Sequence, residues 1–133
     1  MKLKPSLLLG LLLILSAIPI LAHHSFAREY DGKSISLKGS VTMLDFVNPH
    51  SWLYIDIKDA KGQTVSWGIE LGPMQELKRQ GWSKTTLKPG VEVSIEAFPA
   101  KNGSKTANAR TVKLSDGRTL FTAGSAMSPQ TKK

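Results

Sequence analysis

The alternation of apolar and polar residues from Ile35 to Lys58 sets the tightest limit on how this chain folds. Ile35, Leu37, Gly39, Val41 and Met43 alternate with polar neighbours, and Leu53, Ile55 and Ile57 do so further on. A period of two marks a half-buried strand, so two strands are expected here. Between them stands Leu44-Asp45-Phe46-Val47-Asn48-Pro49-His50-Ser51-Trp52. Proline fixes its own φ and drives the preceding residue out of the helical region, so Asn48-Pro49 is a turn. His50 and Trp52 therefore sit where a loop meets a sheet edge.

The first strand is expected over Lys33 to Phe46, and its apolar register shifts after Met43, where Leu44 and Phe46 take over. Such a shift is what a bulge produces, and a bulge lets a strand bend around a barrel corner. The second strand, Ser51 to Lys58, puts Leu53, Ile55 and Ile57 inward and Trp52, Tyr54, Asp56 and Lys58 outward. After a hairpin at Asp59-Ala60-Lys61-Gly62, a third strand runs from Gln63 to Leu71, with Val65, Trp67, Ile69 and Leu71 on one face and Ser66, Gly68 and Glu70 on the other. Gly72-Pro73 changes the period. Proline suits the first turn of a helix, Met74 and Leu77 are three apart, and Gly81 is a natural stop, so a helix of about two turns follows. Trp82 packs back under the sheet. Val91, Val93, Ile95 and Ala97 mark a fourth strand, and Ala107 to Leu114 a fifth. Asp116-Gly117 is a tight turn leading into Arg118 to Phe121.

Three strands, a short helix and two more strands make a mainly β protein with the element order of an OB-fold, a five-stranded Greek-key barrel with the helix between strands 3 and 4. An immunoglobulin-like sandwich wants about seven strands and no central helix.

Residues 1–22 read as a signal peptide: Lys2 and Lys4 open it, Leu7 to Leu21 is apolar, and Ala22 suits cleavage. A membrane anchor would need about 20 apolar residues, and this run is shorter and holds Pro19, so no span is expected after cleavage. Residues 23–122 form one domain with one modest core, and 123–133 a disordered basic tail. The protein is expected to be periplasmic or secreted. With no cysteine in the chain, it folds without disulfides and carries no lipid on an N-terminal cysteine. The formal net charge is +8, and loss of Lys2 and Lys4 leaves the chain basic. That favours anionic lipid, polyanionic glycan or an acidic protein as partner, and export argues against nucleic acid.

His23-His24-Ser25-Phe26, Asn48-Pro49-His50-Ser51-Trp52, Trp67-Gly68-Ile69-Glu70-Leu71-Gly72, Gly81-Trp82, Lys88-Pro89-Gly90, Asn108-Ala109-Arg110 and Asp116-Gly117-Arg118 together resemble the pattern of a functionally uncharacterised family of small exported bacterial proteins. The resemblance runs from Ala22 to about Phe121. It implies an exported, single-domain, OB-like protein and draws attention to His23, His24, His50, Trp52, Trp67 and Glu70 without giving any of them a role.

The chain's three histidines are the first candidates. If cleavage falls after Ala22, His23 carries a free α-amine and an imidazole, two nitrogens that chelate one metal. His50 would complete a three-nitrogen, T-shaped set suited to copper(II) or another divalent metal. The same terminus could instead use His24, whose imidazole and preceding backbone amide join the α-amine around the metal. The plainer alternative is a mobile end plus a turn histidine with local hydrogen bonds.

A second candidate is the outer face of strands two and three with its flanking loops, where OB-folds take up oligonucleotides and oligosaccharides. Trp52 and Tyr54 would make an aromatic platform there, edged by Lys101, Asn102 and Lys105, fit for an oligosaccharide or anionic polymer. Equally, Trp52 and Tyr54 would close the barrel's open side beneath the N-terminal lead-in or the last hairpin. Trp67 and Trp82 read as core. Glu70 lies beside a helix start and has no second carboxylate near it in sequence to make a catalytic pair.

Enzyme signatures are missing: no Gly-x-Ser-x-Gly elbow, no cysteine nucleophile, no phosphate-cradling glycine loop and no His-Glu-x-x-His. The expectation is a binding module for a small ligand, a metal or an anionic polymer, with a structural role beside another envelope protein as the remaining class.

Overall fold

The architecture follows from a computed structural model that describes residues 26–124. The expected signal peptide, the His23-His24 pair and most of the expected basic tail lie outside the described residues. The elements are β1 (Ile35–Asp45), β2 (Trp52–Lys58), β3 (Thr64–Glu70), α1 (Met74–Arg79), β4 (Glu92–Pro99), β5 (Thr106–Leu114) and β6 (Thr119–Leu120). Strands lie side by side in the order β3-β2-β1-β4-β5-β6, and a parallel pairing of β3 with β5 closes the first five into a barrel. This is the OB order, with the helix in its expected place.

β1 serves two neighbours. Its first half, Ile35 to Ser40, pairs with β4, and its second half, Ser40 to Asp45, pairs with β2. The bulge that allows this falls at Thr42: Val41 faces Ile55 and Met43 faces Tyr54. That is earlier than the apolar pattern suggests, and it corrects the inward placement of Met43. The extra residue turns Met43 outward, 51% exposed, and brings Phe46 inside.

The core is the inner face of these strands. Leu53, Ile55, Ile69, Ile95 and Val112 are fully buried, and each contributes about 1.5–3 kcal/mol through removal of its side chain from water. α1 caps the barrel end by burying Leu77. Pro73, extended at φ −61 and ψ 144, precedes the first turn, while Glu76 near the start and Lys78 and Arg79 near the end match the helix dipole. Trp82 is bonded from its amide to the Leu77 carbonyl (3.0 Å) and is buried, as expected. Trp67 packs one side on the core and takes the Lys105 ammonium over its ring at 5.3 Å.

The chain on either side of the barrel also packs. Residues 26–29 form a helical turn, the Phe26 ring meets Tyr30 and Phe98 (both 5.5 Å), and Tyr30 bridges to Ala100. At the far end, the Gly72 amide donates to the Thr122 carbonyl (2.8 Å), and Ala123 lies against the core. Among the described residues no helix is long and apolar enough to cross a membrane.

Candidate functional site

Glu70 is the last residue of β3, where β3 meets both of its neighbours: it pairs with Trp52 on β2 and with Asn108 on β5. Its carboxylate is almost wholly buried, a costly placement unless donors surround it. Three do. The Tyr30 hydroxyl donates to Oε2, the Asn108 Nδ2 donates to the same oxygen at 3.1 Å, and His50 Nδ1 lies against Oε1. Hydrogen bonds to an ionised acceptor are roughly twice as strong as neutral ones, so this cluster fixes each donor firmly.

Each donor is delivered by a local device. The Asn48–Pro49 peptide is cis, and the loop behind it is tied by Ser51, which is buried. The Ser51 hydroxyl accepts from the Val47 amide (3.2 Å) and donates to the Val47 carbonyl (3.0 Å). Its backbone exchanges bonds with the end of β3: the Ser51 amide donates to Gly72 (3.0 Å) and the Leu71 amide to Ser51 (2.8 Å). His50 is thereby held over Glu70. Tyr30 arrives from the lead-in, which is pinned to the β4–β5 connection through Asp31 to Pro99 and Lys101 to Glu29 (both 2.9 Å). Asn108 comes from β5, flanked by Ala107 and Ala109, all three buried.

The electrostatic consequence is clearest at Tyr30. Burial pushes its phenol well above the ordinary tyrosine range, and the Glu70 carboxylate and the charge of Glu29 push the same way, so Tyr30 remains a donor. At His50, Nδ1 is occupied by Glu70, which leaves Nε2 outside that contact on a side chain 45% exposed. A carboxylate at one ring nitrogen sets the tautomer that offers the other as a ligand.

Beside this cluster opens a cleft of about 590 Å³, walled by Arg28 and Tyr30 from the lead-in, Trp52 from β2, and Lys101, Asn102 and Thr106 from the β4–β5 connection. Trp52 and Tyr54 are half-buried on the outer face of β2 and close over Gly68. A Cβ at Gly68 would meet Tyr54 Cε1 at 3.5 Å and Trp52 Cε3 at 3.7 Å, ordinary contact distances, which puts both rings directly above this position. Of the four residues expected on this face, Trp52 and Lys101 line the cleft and Tyr54 adjoins Trp52. Lys105 stands over Trp67 instead. Trp52 shares a wall with the lead-in and borders open space.

His23 and His24 lie outside the described residues. The lead-in that follows them is anchored one helical turn on, where the Tyr30 amide donates to the Phe26 carbonyl (2.9 Å) and the Tyr30 side chain reaches Glu70. Among the described residues, no three His, Cys, Asp or Glu side chains gather around one point. Tyr30 and Arg28 were not among the sequence candidates, and Glu70 carried no partner there. One available signal was the buried-strand setting of Asn108 between two alanines, a place where an amide needs a polar partner.

No curated protein and no solved structure matches the chain. The sequence profile of a family of unknown function, DUF6152, matches residues 11–109, a span that includes Tyr30, His50, Glu70 and Asn108, and the chain belongs to that family.

Proposed function

We propose that this is an exported metal-binding protein in which His50 Nε2 joins the amino-terminal His23, or His24, around copper or another divalent ion. The observation that supports this reading is that one buried carboxylate touches both His50 and Tyr30, the latter seven residues after His23. Glu70 contacts His50 at Nδ1 and accepts from the Tyr30 hydroxyl. From Phe26 back to His23 is three residues, about 10 Å of extended chain, which sets the reach of the terminus. A carboxylate behind a ligating imidazole raises its basicity and holds its ring, and loss of such a partner typically costs 10–100-fold in affinity. Nitrogen ligands in a tetragonal set favour copper(II).

The test begins with the intact mass of protein recovered from its native compartment, followed by copper titration with electron paramagnetic resonance. The expected result is a chain starting at His23 that takes one copper through nitrogen ligands. His50→Ala, or one residue added before His23, abolishes that signal, and Glu70→Gln weakens binding by 10–100-fold. Copper uptake indifferent to His50, or a chain cut elsewhere, removes the reading.

A further inference from the structure

Beyond the metal site, we infer that the cleft between the lead-in and the β4–β5 connection binds a short acidic oligosaccharide, through its uronate carboxylates and sugar faces. The cleft volume of about 590 Å³ falls within the usual range of roughly 300–1,000 Å³ for ligand sites. Its chemistry is that of a sugar site. Trp52 supplies an aromatic surface that lies above Gly68 and lines the cleft. Such rings present an apolar body to the C–H face of a sugar.

The cations stand on facing segments. Arg28 comes from the lead-in and makes no ion pair among the described residues. Lys101 comes from the other side and spends one N–H on the Ala27 carbonyl (2.6 Å), which leaves the rest of its three donors for a ligand. A guanidinium takes a carboxylate with two parallel bonds, so a uronate fits Arg28. Asn102 lines the cleft and uses its Oδ1 to accept from the Ser104 amide (3.0 Å), so what its side chain can offer a hydroxyl is its NH₂. Glu29 shares the wall and limits the net charge of the cleft. Two cations, one acid and the rings of Trp52 and Tyr30 suit scattered carboxylates among hydroxyls. A nucleic acid strand would want a continuous cationic track with successive stacking rings.

Calorimetry on the mature chain tests this, with tri- to hexameric oligogalacturonate as the probe, its methyl-esterified form as the neutral counterpart, and EDTA present so that the outcome is independent of any metal. The expected result is saturable binding of the acid form and at least tenfold weaker binding of the ester. Arg28→Gln and Lys101→Met each weaken binding severalfold, Trp52→Ala abolishes it, and Trp52→Phe retains part of it with an unchanged circular dichroism spectrum. Absence of binding, equal binding of acid and ester, or tighter binding of a short single-stranded DNA overturns the proposal.

Discussion

Glu70 places three donors on two oxygens, and the chemistry of the site rests on that arrangement. Glu70→Gln keeps the shape but replaces one acceptor oxygen with an amide that must itself find an acceptor. Leaving a buried polar group unpaired costs about 1–3 kcal/mol, so urea denaturation of the variant should show a stability loss of that order. Tyr30 answers to pH with a definite sign. Its phenol is held above its ordinary value of 10.0, first by burial and then by Glu70, so folding favours the protonated form. The stability from this preference is complete below about pH 10 and declines as pH rises beyond it towards the raised folded-state value. Tyr30→Phe should therefore be less stable at neutral pH, and its unfolding midpoint should fall less steeply than wild type between pH 10 and 12. A parallel decline in both proteins would show that Tyr30 does not govern the alkaline limb.

At the level of the strands, the decisive position is Gly39, just before Ser40, where β1 passes from β4 to β2. A Cβ there would sit 2.4 Å from the Asp56 carbonyl oxygen and 3.0 Å from Ile57 Cγ1. The first of these is backbone, which cannot turn aside. Gly39→Ala should destabilise the barrel by about 1–3 kcal/mol, the usual cost of overpacking, read from urea denaturation midpoints. The strands themselves were legible because Leu53, Ile55 and Ile57, and then Val65, Trp67 and Ile69, repeat with a period of two, and the helix because Pro73, Leu77 and Gly81 punctuate it. The bulge was legible as a register change but not to the residue, since Met43 is apolar and gave no sign that it turns outward. Half of the site was legible: His50, Trp52 and Lys101 stand in recognisable loops and faces. The rest was not, because Glu70 looks like a solvent-facing member of the Ser66, Gly68, Glu70 face. What buries it comes from Tyr30 and Asn108, 40 and 38 residues away in sequence. A local pattern does not encode which distant segments cover a face.

For the whole molecule, the barrel is closed by a short seam. β3 and β5 share three residue pairs, Gly68 with Thr106, Ile69 with Ala107 and Glu70 with Asn108, whereas β2 and β3 share seven. Contacts between segments far apart in sequence carry the loop-closure cost before they return anything, and a short ladder opens more readily than a long one. Native-state hydrogen exchange should show it: the Gly68 amide, bonded to the Lys105 carbonyl at 3.0 Å, should exchange through a lower opening free energy than amides in the middle of the β1–β2 ladder. Equal protection across both would mean that the barrel opens only as a unit. The last pair of the seam is also the centre of the polar cluster. A chain with its other strands in place but this seam unzipped has no Asn108 beside Glu70, so the carboxylate lacks one of its donors. The charge of Glu70 thus works as a proofreader of closure, fully satisfied only when the final stitch of the barrel has been drawn tight.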